Sequence, residues 1–194
     1  MKGDFTRSTF RRANHFSGVL MQQGRVQLDS DWNEQGDITA YRAGTTVLDT
    51  IGESGAPVHD AGFAIVASAA DLPDEDKNRP ENQTPPAVKP ADLLVSGGRF
   101  YVHGELAENE HICLLSDQPD LPAGLPRVRL SNKTDVALPP PKGSYLVYLD
   151  VWQRHITALE APPIREVALG GPDTATRTKT VWQVKLLQVP AQTA

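Results

Sequence analysis

Cysteine is almost absent from this chain: one of its 194 residues is Cys, Cys113. A lone thiol builds neither a disulfide framework nor a thiolate metal cage. Its place in the apolar run His111-Ile112-Cys113-Leu114-Leu115 reads as a small core hydrophobe. Long apolar runs are missing too. No stretch approaches the roughly 18 consecutive apolar residues of a membrane span, and the N-terminus lacks the apolar centre of a secretory signal. No membrane insertion is therefore expected, and the chain reads as one assembled in a cytoplasm. Positive charge is in deficit: 19 Lys and Arg stand against 24 Asp and Glu, a formal net charge of −5. A nucleic-acid-binding domain needs a surplus of cations on one face, so no nucleic-acid partner is expected. The densest basic cluster, Arg7, Arg11 and Arg12, is offset by the acidic set Asp29, Asp31, Glu34 and Asp37, and a solvated or internally paired cluster is expected.

Catalytic signatures are missing as well. No serine sits in a Gly-x-Ser-x-Gly elbow, no phosphate-cradling glycine loop leads into a helix, and Cys113 has no activating neighbour pattern. Asp29-Ser30-Asp31-Trp32-Asn33 matches the start of a calcium loop. The sixth position, where the sharp turn needs Gly, is Glu34, and the twelfth, where a bidentate carboxylate belongs, is Ala40. Acidic residues complementing a helix dipole explain the same stretch. His103, Glu105, Glu108 and His111 form the one dense patch of transition-metal ligand types, but Gly104 and Asn109 place them in a strand-turn-strand rather than on a helix face. They read as solvated turn residues, so no enzyme, no metal and no cofactor is expected.

With 39% hydrophobic and 22% charged residues, the chain is expected to form a single domain over residues 1–194. Val19, Met21, Val26 and Leu28 alternate on either side of Gln22-Gln23-Gly24, which predicts a first hairpin. Asp29, Ser30 or Asp31 can cap a helix in which Ile38, Tyr41, Thr45 and Leu48 form the buried stripe, ending near Ile51 before Gly52. That stripe is expected to pack on a sheet containing Phe100, Val102, Val147, Leu149, Val184 and Leu186. Phe63 to Ala67 reads as a short strand. Residues 72–90 carry five prolines and almost no large apolar side chains, and read as a Pro-rich arm open to a partner. Leu93 to Ser96 and Arg99 to His103 around Gly97-Gly98 predict a second hairpin, and His111 to Leu115 a further strand. The strongest strand signals are Tyr145 to Leu159 and Thr178 to Val189, with Trp182, Val184 and Leu186 on the core face and Gln183 and Lys185 on a wetter one. The expected class is α+β, β-dominated: mixed antiparallel strands and hairpins packed with one main helix near the N-terminus.

Two sets of segments carry a family resemblance. Met1-Lys2-Gly3-Asp4-Phe5-Thr6-Arg7, Leu20-Met21-Gln22-Gln23-Gly24-Arg25-Val26-Gln27-Leu28-Asp29 and Asp31-Trp32-Asn33-Glu34-Gln35 resemble the opening of a bacterial domain-of-unknown-function family, number 6519. Val151 to Glu160 and Ile164 to Thr174 resemble its later signature. Members of that family occur with gene clusters for extracellular contractile injection systems, the phage-tail-like particles of bacteria. The resemblance implies a structural or attachment part at the baseplate, spike or fibre, with other particle proteins as partners, an oligomeric state set by the assembly, and possible release as part of the particle. Members are often longer, which leaves open an N-terminal module of a larger protein. The interface candidates are Arg7, Phe10, Arg11, Arg12, Phe16 and Trp32, which mix charge with aromatic anchors. Two alternatives stay open: a particle-delivered effector with hydrolase activity, which needs His103, Glu105, Glu108 and His111 in a cleft, and a carbohydrate-binding module, which needs Trp32, Trp152 or Trp182 on a concave face.

Overall fold

The computed structural model describes residues 3–77, 85–88, 92–120, 128–129, 135–136 and 143–190. The fold is α+β, with one main helix near the N-terminus, α1 (Asp29–Ile51). A one-turn helix α2 (Asp74–Lys77) lies in the first part of the Pro-rich stretch. Ten strands follow in chain order among the described residues: β1 (Ser54–Gly55), β2 (Ile65–Val66), β3 (Leu94–Val95), β4 (Gly98–Val102), β5 (Glu105–Asn109), β6 (Cys113–Leu114), β7 (Val128–Arg129), β8 (Asp135–Val136), β9 (Ser144–Ile156) and β10 (Arg177–Val189). They form three sheets in the orders β1-β4-β5, β2-β3-β6 and β8-β7-β10-β9. β7 and β10 run parallel. The chain divides into two compact units, one of Met1–Glu53 with Gln153–Lys179 and one of Ser54–Trp152 with Thr180–Ala194.

In the second unit the small sheet β2-β3-β6 is buried on both faces. Register pairs Ile65 with Val95 and Val95 with Cys113, and Val66 with Leu94 and Leu94 with Leu114. Because side chains alternate along a strand, the first trio faces the larger core of Val95, Ala107, Leu115, Trp182, Val184 and Leu186. The second trio faces a smaller core of Leu72, Leu94, Ile112 and Leu114. This two-sided burial explains why Leu93-Leu94-Val95 is a continuous apolar run rather than an alternating one. It also revises the start of the Pro-rich arm, since Leu72, 3% exposed, is a core residue. The remainder of that arm falls largely on residues 78–84 and 89–90, outside the described residues.

The anticipated second hairpin does not form. β3 and β4, on either side of Gly97, belong to different sheets, and β4 pairs instead with β5 through the turn at His103 and Gly104. What Gly98 permits is a close crossing of backbones. Its φ is 120°, and a Cβ built on Gly62 would stand 2.4 Å from the carbonyl carbon of Gly98. The crossing is laced by the N–H of Gly62 donating to the Arg99 carbonyl at 3.0 Å and the N–H of Arg99 donating to the Asp60 carbonyl at 2.9 Å.

β9 and β10 match the expected strong strands to within a few residues. Trp182 stacks edge-on against Phe63 at 4.8 Å, and its indole N–H donates to the Glu108 carbonyl at 2.6 Å. The opposite face of β10 is drier than its polar letters suggest. Val181 and Gln183 are both buried, because β10 lies between β7 and β9 in its sheet. Gln118, also buried, completes the backbone of this strand. Its Oε1 accepts from the N–H of Val184 at 2.6 Å, and its Nε2 donates to the carbonyls of Val184 at 3.0 Å and Leu115 at 2.9 Å. Neither core cluster includes a residue of α1; of the sheet residues Phe100, Val102, Val147, Leu149, Val184 and Leu186 expected beside the Ile38, Tyr41, Thr45 and Leu48 stripe, Val184 and Leu186 belong to the larger core and Leu149 packs against it.

Candidate interaction surface

The first unit is organised by α1. Asp29 and Asp31 lie in its first turn, where carboxylates complement the positive end of the helix dipole, and Asp31 accepts from the N–H of Leu28 at 3.4 Å. At the other end Gly52, at φ 93°, donates its N–H to the Leu48 carbonyl at 2.9 Å. The helix is mostly solvated. Ile38, 1% exposed, is its enclosed apolar side chain, whereas Thr45 and Leu48 are half-buried and Tyr41 is exposed.

Residues 3–19 form a strap along this helix. Thr6 donates both its N–H, at 2.9 Å, and its hydroxyl to the Asp29 carboxylate. Thr9 donates its hydroxyl to Glu34 at 2.6 Å, and the Phe10 and Tyr41 rings meet at 5.8 Å between centroids. The chain then turns through Arg12–Asn14, with His15 at φ 55°, and returns so that the N–H of Val19 donates to Oε1 of Gln35 at 2.8 Å. With 3.6 residues per turn, Glu34, Ile38 and Tyr41 share one face and Gln35 lies beside it, so Ile38 sits among the anchors of the two legs. The family-like residues Asp29, Glu34 and Gln35 are therefore the posts to which the strap is tied.

This arrangement overturns one expectation and decides between the two halves of another. The first hairpin is absent: Gln22 to Arg25 does make the tight turn, closed by the N–H of Arg25 donating to the Gln22 carbonyl at 3.2 Å, but no strand ladder flanks it. Its alternating apolar residues bury no face, and Leu20 is 91% exposed. Of the two states expected for the basic cluster, solvated or internally paired, Arg7, Arg11 and Arg12 take the solvated one. Asp29 and Glu34 are occupied by threonine donors, and among the described residues Arg7, Arg11, Arg12 and Arg42 join no ion pair. The two hydrogen bonds from Thr6 hold the Asp29 carboxyl below its ordinary value of 3.8.

At the bend of the strap, Phe10, Arg11, Arg12, His15, Phe16, Tyr41 and Arg42 line a cleft of about 370 Å³. The Arg12 guanidinium stands 4.8 Å from the centre of the Tyr41 ring, a cation–π contact that orients its donors without consuming them. Of the six interface candidates, Phe10, Arg11, Arg12 and Phe16 are thus brought together. Arg7 is exposed on the first leg, outside the cleft. Trp32 is 71% exposed on α1. Sequence reasoning missed His15, Tyr41 and Arg42. Tyr41 had been assigned to a buried stripe, and its aromatic neighbour Phe10 lies too far along the chain for local spacing to pair them.

The other candidates are dispersed. His103 occupies the turn between β4 and β5, strand alternation sends Glu105 and Glu108 to opposite faces of β5, and His111 lies beyond the strand. No group of three or more His, Cys, Asp or Glu able to hold a metal occurs among the described residues. Trp182 is buried and Trp152 is half-buried, with the Lys185 ammonium 5.4 Å from its ring centre. The Cys113 thiol is pushed up to about 12 by burial, which suits a packing residue and not a nucleophile. A second concavity, of about 360 Å³, is lined by Thr157, Ala158, Leu159, Arg165 and Gly171 to Asp173. No helix among the described residues is long and apolar enough to cross a membrane.

No curated protein and no solved structure matches the chain. One family does, described as "Family of unknown function (DUF6519)", and the match runs over residues 1–194. The whole of this sequence therefore belongs to that family.

Proposed function

We propose that this chain is a non-catalytic attachment module of a phage-tail-like contractile injection particle, assembled in the cytoplasm and carried as part of the particle at its baseplate, spike or fibre. The observation that carries the reading is the first unit's surface. A strap fixed to α1 at Asp29, Glu34 and Gln35 carries Phe16 in solvent, and the loop from the strap to α1, with the helix itself, adds Leu20, Met21, Val26, Leu28 and Trp32, all exposed. Large apolar side chains gathered in solvent in this way supply the apolar anchors of protein interfaces. The resemblance of Leu20 to Gln35 to proteins that occur with contractile injection systems supplies the partner class, and the particle would set the oligomeric state.

The test is to purify particles from cells that carry the chain and from cells that lack it, and to image both. The reading expects the chain in the first preparation, with density that vanishes in the second. It also expects Leu20→Ser with Met21→Ser to lower incorporation while leaving the circular dichroism of the purified chain unchanged. Particles that never contain the chain would reject the attachment role in favour of a protein acting outside the assembly.

A further inference from the structure

We infer that the cleft at the bend of the strap binds a carboxylate-rich segment of a neighbouring protein. The inference rests on the attachment reading for where that segment comes from, and on the cleft alone for what it is. Three arginines, Arg11, Arg12 and Arg42, and His15 line one concavity of about 370 Å³. Ion pairs elsewhere in the described chain join Arg99 to Asp60, Arg154 to Glu160 and Lys185 to Asp150. The cleft arginines have no such partner, although the chain carries a net charge of −5. On α1, Glu34 is held by Thr9 and Asp29, further back along the helix, by Thr6; Asp37, one turn before Tyr41, is exposed and joins no ion pair with the cleft arginines among the described residues.

The geometry favours a carboxylate. A guanidinium presents paired donors that match the two oxygens of a carboxylate, and Arg12 is held for that purpose against the Tyr41 ring, itself braced by Phe10. Phe16, 58% exposed, adds an apolar wall at the same cleft, suited to an aliphatic or aromatic neighbour of the acidic residue. The volume lies at the lower end of the range for ligand sites, about 300–1,000 Å³, and fits two or three side chains of an extended segment. A nucleic-acid backbone is the poorer fit, because it needs a cationic track and not a single compact cluster on an acidic chain.

The experiment titrates a dye-labelled peptide of alternating Glu and Phe into the full-length chain and follows fluorescence anisotropy. The inference expects saturable binding that weakens as salt rises, is absent for the same peptide with Gln replacing Glu, and falls about tenfold or more in Arg11→Gln with Arg12→Gln. Arg42→Gln should weaken it in the same direction. Tyr41→Phe should keep it, because the ring that orients Arg12 remains. Absence of binding to the Glu peptide, equal binding of the Gln peptide, or tighter binding of single-stranded DNA overturns the inference. Unaltered binding in the double Arg variant does the same. Particle incorporation of that variant separates the two readings. If peptide binding is lost but incorporation is normal, the cleft is not the docking point and the inference fails while attachment stands. If the unaltered chain binds the peptide but never enters particles, the attachment reading fails and the acid-binding cleft stands.

Discussion

The backbone N–H of Val19 donates to the side-chain oxygen of Gln35 at 2.8 Å across sixteen positions of sequence, and so fixes the returning leg of the strap to α1. Gln35→Ala removes the side-chain acceptor of that N–H, at a cost of about 1 kcal/mol, and should speed hydrogen exchange at Val19 and tryptic cleavage at Arg25. Ile38, enclosed among the strap's anchors, should cost about 2–5 kcal/mol when replaced by Ala. A loss of unfolding free energy below ~0.5 kcal/mol in chemical denaturation would show that nothing encloses Ile38.

Asp29 gives the outgoing leg a pH dependence. Hydrogen bonds from Thr6 lower its pKa from the ordinary 3.8, so the folded value lies below the unfolded one. Stability contributed by such a group is present above the unfolded pKa and is lost as pH falls through the folded one. The tie at Thr6 should therefore be intact at neutral pH and released only below 3.8. An NMR titration of the Thr6 amide should show a midpoint below that value, and Asp29→Asn should abolish the transition. A midpoint at or above it contradicts the tie.

The elements that proved legible in the sequence are those whose own residues decide them. α1 begins at Asp29 and ends before Gly52 because its acidic first turn and its glycine stop are local. β9 and β10 are long and rich in β-branched and aromatic residues, and they form as read. The expectations that failed depended on where a distant partner lies. Val19 to Leu28 has the alternation of a hairpin, but Val19 is hydrogen-bonded to a helix side chain instead of a strand. Gly97-Gly98 looks like a hairpin turn, but the backbone of Gly98 is needed for the crossing with Gly62, far earlier in the chain with nothing local to announce it. The cleft was half legible: Phe10, Arg11, Arg12 and Phe16 stand out as charge mixed with aromatics, whereas Tyr41 and Arg42 join them only through the strap's path along α1.

Gln118 acts as a stand-in for a strand partner of Val184, with three hydrogen bonds to backbone. Gln118→Leu keeps the volume but strands the N–H and C=O of Val184 in a buried setting. Each unsatisfied group costs about 1–3 kcal/mol, so the substitution should destabilise the chain by about 2–4 kcal/mol, measured by urea denaturation. Gln118→Glu should be tolerated no better, because it buries a carboxylate oxygen against the carbonyls of Leu115 and Val184 in place of the amide donor.

The central claim, that the first unit docks on a particle protein at the bend of its strap, is tested most directly by placing a photoreactive phenylalanine at Phe16 and irradiating cells that assemble the particle. Phe16 lines the cleft and is open to solvent. Val58, more open still but in the second unit, serves as the control position. The account predicts a cross-link from position 16 to a protein of the particle and little or none from position 58. Cross-links that are equal from both positions, or that from position 16 reach no particle protein, would contradict it.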